Sequence, residues 1–187
     1  MTTNSSAVVS QPNLVLPALE KKAIAVQIAF LASAAFLLPA LAHATGLPTR
    51  VLLPMHWPVI LAGLCYGWRS GLAIGIAAPS LSFLLSGMPP LFVLPAMTVE
   101  LAAYGFLAGL ARQNLGLNTF VSSAISLVGG RIVFLATIFA IGSVSTNFAA
   151  YLQTSMLPGV PAAIAQFVLL SLAANWWVKK NLTILPA

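Results

Sequence analysis

The stretch Gly67-Trp68-Arg69-Ser70-Gly71 joins two apolar runs, Met55–Trp68 and Ser70–Ser86, and its reading decides the fold. Each run is short for a membrane crossing, which takes about 20 apolar residues. Fused, they would form one helix too long for a bilayer, with Arg69 carried to its middle between two glycines. A charge at that depth is costly unless it is paired. Divided within this stretch, they become the arms of a tight hairpin with Arg69 at the membrane surface.

Working outward, Lys22–Leu41, Val93–Arg112, Asn118–Ile141 and Val160–Val178 are each long and apolar enough to span. The whole composition agrees. Of 187 residues, 60% are hydrophobic and 5% charged, where a soluble domain carries about a quarter charged. Too few polar groups remain to cover a core with a water-compatible surface. Residues 20–187 therefore read as one all-α domain, a polytopic bundle of six transmembrane helices. Met1–Leu19 begins rich in Ser, Thr and Asn without periodicity, and reads as a flexible cytoplasmic tail.

Charge placement predicts the orientation. With the N-terminus inside, Lys21, Lys22, Arg69, Arg112, Lys179 and Lys180 all face the cytoplasm, Arg50 lies outside, and Arg131 falls within segment five. This positive-inside pattern places both termini in the cytoplasm of a multi-pass inner-membrane protein. The same dispersal of the +6 net charge argues against nucleic-acid binding, which needs a basic patch or stripe. Lys21-Lys22, an apolar run and Ala42-His43-Ala44 imitate a secretory leader. The run is as long as a full span, however, and exceeds the signal core of about 7 to 15 residues. Cys65 is the lone cysteine, so it forms no internal disulfide and has no partner for a metal site. No long internal repeat is visible, which weighs against an inverted-repeat transporter.

The informative residues are polar ones at membrane depth. Glu100 lies about two turns into segment four, and Arg131 near the middle of segment five. Antiparallel crossing lets them meet in the outer half, as a binding pair or as a bridge that locks the bundle. His56 and Gln166 fall at similar depth, although His56, beside Met55, Trp57, Pro54 and Pro58, also reads as an interfacial residue. The outer connections His43–Pro54 and Gly142–Gly159 are long for a bundle. The second carries Ser143, Ser145, Thr146, Asn147, Tyr151, Gln153 and Thr154 around Phe148 and reads as a binding loop or lid. Glu100, Arg131, His56 and Gln166, with Trp57, Asn147 and Tyr151, are thus the expected solute-binding residues of an outward-opening cavity.

Small residues mark helix contacts, since lipid gives no hydrophobic drive for association. Gly63 with Gly67, Gly71 with Gly75, and Gly105 with Gly109 read as internal packing pairs. Ala25, Ala29 and Ser33 form a stripe on the first helix that could face its own bundle or a partner. No catalytic constellation appears: Ser82 or Ser86 with His56 lacks supporting context, and no paired carboxylate is present. Without a Gly-Lys-Ser/Thr phosphate loop, the chain hydrolyses no ATP by itself. No cofactor is expected.

The stretch from Arg50 to Gly75 resembles the second-to-third-helix signature of S components, the substrate-binding membrane subunits of energy-coupling factor (ECF) vitamin transporters. Pro58, Leu61-Ala62-Gly63, Gly67, and Gly71 with Gly75 carry the resemblance, and Trp68 stands where the family often has proline. Length and topology match over nearly the whole chain. The resemblance implies capture of a small vitamin or vitamin precursor from the outer side. It also implies delivery through a membrane T component attached to two ATPase subunits. Alanines spaced by four on the first helix dock many members on the T component, and Ala25 and Ala29 match that motif. Met55-His56-Trp57-Pro58 imitates the Met-His start of the nickel/cobalt branch, but it follows a complete helix and lacks the free amine. One imidazole without nearby anionic ligands makes a poor divalent site, so no metal is expected. Two alternatives stand beside this reading: a proton-coupled secondary transporter using Glu100, and a non-transporting scaffold.

Overall fold

The computed structural model describes residues 14–46, 49–141 and 147–182. Among them six long helices form the bundle: α1 (Lys21–Ala44), α2 (His56–Tyr66), α3 (Trp68–Ser86), α4 (Leu94–Gln113), α5 (Thr119–Ala140) and α6 (Val160–Leu182). Five apolar stretches are long enough to cross a bilayer: α1, α3, α4, α5 and residues Leu152–Leu182, which contain α6. At 11 residues α2 is shorter than a full span.

The expected hairpin is present and tighter than the sequence implied. Gly67 alone separates α2 from α3, at φ 88°. A side chain there would also strike the Gln113 carboxamide, whose oxygen accepts from the Trp68 N–H at 3.3 Å. The glycine pairs converge on α4. A Cβ on Gly71 would land on the backbone of Gly105, one on Gly75 on that of Leu101, and one on Gly109 on that of Gly67 and Trp68. Backbones therefore touch where side chains are missing, which is how apolar helices pack closely when lipid competes for every apolar contact. α4 becomes the centre, with α2 and α3 on one flank and α5 on another.

Hydroxyls join the rest. Ser126 Oγ donates to the Tyr104 carbonyl at 2.8 Å, tying α5 to α4, and Ser171 Oγ reaches Ser123 Oγ at 2.9 Å, tying α6 to α5. Asn118 caps α5 by accepting from the Val121 N–H at 2.9 Å. Six basic residues (Lys21, Lys22, Arg69, Arg112, Lys179 and Lys180) collect at the end of the bundle that holds the Gly67 turn. There Lys22 Nζ donates to Asn181 Oδ1 at 2.8 Å and Trp177 Nε1 to the Tyr66 hydroxyl at 3.1 Å.

Two regions differ from the sequence expectation. Residues 14–19 fall in the stretch read as a tail, yet Leu16 is buried and its N–H donates to the Cys65 carbonyl at 2.7 Å. That carbonyl lies in the last turn of α2, where the helix has no amide of its own to offer. Gln27 Nε2 likewise donates to the Ala18 carbonyl at 2.7 Å. The connection read as a loop after α5 is helical from Phe148 onward: Phe148–Tyr151 is α-helical, Leu152–Met156 π-helical and Leu157–Gly159 3₁₀, running directly into α6. Its polar residues Gln153 and Thr154 disguised it. Ser143, Ser145 and Thr146 lie outside the described residues.

Candidate functional site

Opposite the basic end, the helices part around a cavity of about 920 Å³, at the upper end of the usual size for small-molecule sites. α1 supplies Ala35, Phe36, Pro39, Ala40 and His43; the α1–α2 connection supplies Leu53, Pro54 and Met55. Part of the α1 wall is a π-helical turn, Ser33–Leu37, closed by the Leu38 N–H on the Ser33 carbonyl. Pro39 follows it. A proline ring crowds the carbonyl four residues back, here that of Ala35, and a widened turn relieves that contact.

The deep polar group belongs to three helices. Glu100 of α4 and His56 of α2 are 3% and 2% exposed, whereas the Arg131 side chain of α5 retains 24%. Arg131 Nη1 donates to Glu100 Oε1 at 2.8 Å. His56 Nε2 lies 3.5 Å from the same oxygen, and neither ring nitrogen of His56 has a hydrogen-bond partner. Tyr104, one turn along α4 from Glu100, meets the His56 ring edge-on at 4.9 Å between centroids. Tyr104 sits where Gly130 has no side chain: a Cβ on Gly130 would lie 2.7 Å from its ring. Gly130, next to Arg131, thereby fixes the tyrosine that orients the histidine.

Glu100, Arg131, His56 and Tyr151 of the expected set come to this cavity. Glu100 and Arg131 meet as antiparallel crossing requires. His56 is buried at the first position of α2. Gln166, Trp57 and Asn147 are not among the lining residues. Gln166 is 1% exposed and turned into the bundle, with no partner for its carboxamide. Trp57 is pinned by its indole N–H, which donates to the Leu52 carbonyl at 2.9 Å, and it packs on the core around Tyr104 and Leu170. Asn147 is exposed at the start of the short helix Phe148–Tyr151.

Other lining residues were not anticipated. Ser82 and Ser86 face the cavity from successive turns of α3, a spacing of four that could have shown it. Phe36, Met88, Phe92, Met97, Phe134, Ile138 and Met156 form most of the wall and look like ordinary membrane-helix residues in the sequence. Among the described residues no cluster of three His, Cys, Asp or Glu side chains could hold a metal ion.

On the far side of α1 from the bundle, Ala25, Ala29 and Ala32 are exposed, together with Ile28 at 61%, whereas Ser33 is half-buried. α1 is the least enclosed span, with 11% of its most apolar window buried against 44% for α4.

An all-helical membrane protein built around one solute-sized polar-floored cavity is thus defined by fold and site together. The family model of the ECF transporter, substrate-specific component, matches residues 22–179. The chain belongs to that family, and is a transporter subunit. Neither the comparison with curated proteins nor that with solved structures returned a match.

Proposed function

We propose that this subunit captures a small water-soluble vitamin or vitamin precursor from the outer side of the cytoplasmic membrane, in the cavity floored by Glu100, Arg131 and His56. The observation that carries this reading is the cavity itself, lined by the ion pair of a buried Glu100 with a half-buried Arg131. Its position opposite the six clustered basic residues supports an outward opening, since basic residues are retained on the cytoplasmic side. Release then runs through a T component and two ATPase subunits, the partners that membership of the family implies. The exposed Ala25 and Ala29 on the least enclosed helix are the proposed docking contact.

Purified protein tested by thermal shift against vitamins and their precursors should gain apparent stability with one of them, because a ligand selective for the folded state shifts unfolding. Glu100→Gln and Arg131→Gln should each reduce that gain. A folded protein that uptakes solute autonomously, with no T component or ATPase co-purifying, would defeat the proposal.

A further inference from the structure

The cavity carries a finer reading, resting on the binding-subunit proposal, about the chemistry of its solute. We infer that the solute is an aromatic or heteroaromatic ring compound whose deep end carries no net charge and offers both a hydrogen-bond donor and an acceptor.

The charge argument comes first. Among the described lining residues Glu100 is the one carboxylate and Arg131 the one guanidinium, and they are joined at 2.8 Å. An anionic group brought to Arg131 meets the Glu100 carboxylate beside it. A cation brought to Glu100 meets the guanidinium. Either ion gains one contact, loses much of it to the neighbour, and still gives up its water in a mostly apolar chamber. A neutral group avoids both losses.

His56 supplies the second argument. A neutral imidazole offers one donor and one acceptor; in His56, Nε2 has only Glu100 Oε1, 3.5 Å away, and Nδ1 has no hydrogen-bond partner. Buried polar atoms are rarely left so. The ring is held in place by Tyr104 at 4.9 Å, which is itself seated on Gly130. An amide, imide, ureide or similar edge has the complementary pair of groups; a carboxylate or a quaternary nitrogen does not.

The walls supply the third. The chain has 5 methionines, and all four beyond Met1 (Met55, Met88, Met97 and Met156) line this one cavity. Phe36, Phe92 and Phe134 join them. Thioethers adapt their shape and make favourable contacts with aromatic rings, and phenyl faces stack on them. Such a wall suits a flat ring system better than a flexible polar chain, for which hydroxyls and amides would be needed.

Matched aromatic compounds that differ in charge at one ring substituent test this directly: nicotinamide with nicotinate and 1-methylnicotinamide, and pyridoxine with pyridoxamine and 4-pyridoxate. Binding is measured by calorimetry on the purified full chain, and native mass spectrometry identifies any solute retained from the cell's own membranes. In every set that binds, the uncharged member should be at least tenfold tighter, and His56→Phe should lose at least tenfold for that member while His56→Gln loses less. A retained solute that is an uncharged ring compound supports the inference whether or not a probe binds. A charged member that binds more tightly, or a retained solute without an uncharged aromatic ring, overturns it and leaves the binding-subunit proposal standing. A folded protein that retains nothing and binds no member of any set overturns that proposal itself.

Discussion

The two ends of this bundle are built from the same helices by opposite means. At the basic end α2, α3 and α4 are drawn together through Gly63, Gly71, Gly105 and Gly109 until backbones touch. At the other end the same helices carry His56, Ser82, Met97 and Glu100 and stand apart around about 920 Å³. Glycine contact at one end acts as a hinge pin from which the helices splay. The difference teaches that a hollow needs a rigid counterpart: a cavity lined by adaptable methionines keeps its shape because its walls are clamped a few turns away.

The largest expected effect comes from breaking the clamp. Gly71→Leu puts a branched side chain into the Gly105 backbone, with no flexible neighbour able to yield. Overpacking of a tight contact costs roughly 1 to 3 kcal/mol when neighbours can adjust; here backbone must move, so size-exclusion chromatography should show little monodisperse protein.

Next is the polar floor. Arg131→Met leaves the Glu100 carboxylate buried without its partner and should cost about 3 kcal/mol, read as a fall in thermal stability. The double variant Glu100→Gln with Arg131→Met should recover much of that loss, since no uncompensated charge remains. Equal instability of single and double variants would mean that shape, and not charge, holds the floor together.

A smaller change sharpens the comparison. Gly130→Ala places a Cβ 2.7 Å from the Tyr104 ring, and should cost about 1 to 2 kcal/mol. Solute affinity should drop more than stability, because the displaced tyrosine orients His56. At the opposite end Leu16→Ser exposes a leucine's worth of apolar contact at the base of α2. A loss of roughly 1 to 2 kcal/mol is expected in thermal unfolding, with solute affinity unchanged. The least effect on stability, within about 0.5 kcal/mol, is expected for Ala29→Phe on the exposed face of α1. Co-purification with the T component and ATPases should nevertheless be lost.

Much of this was legible in the chain. Six helical segments, the hairpin at Gly67 and the meeting of Glu100 with Arg131 follow from apolar length, glycine placement and antiparallel order. Those are local or nearly local properties. The burial of Leu16 was not legible, because a leucine in a polar stretch signals nothing until a carbonyl such as that of Cys65 is found without an amide. Residues 148–159 were missed because Gln153 and Thr154 interrupt the apolar pattern while leaving helical backbone geometry intact.

The sequence by itself determined that this chain belongs in lipid and how many times it turns, since hydropathy and helix length are set against a fixed bilayer thickness. It also set which polar residues fall inside apolar segments, Glu100, Arg131 and Gln166 among them. Only the tertiary structure decided which of them share a cavity. Gln166 and Glu100 both fall about two turns inside apolar helices, yet one faces the bundle interior and the other the chamber, because rotation about a helix axis is set by neighbours and not by sequence position. The methionines gave no signal in the sequence for the same reason: scattered over 101 positions between Met55 and Met156, they become one wall only when the helices that carry them are brought around a common space.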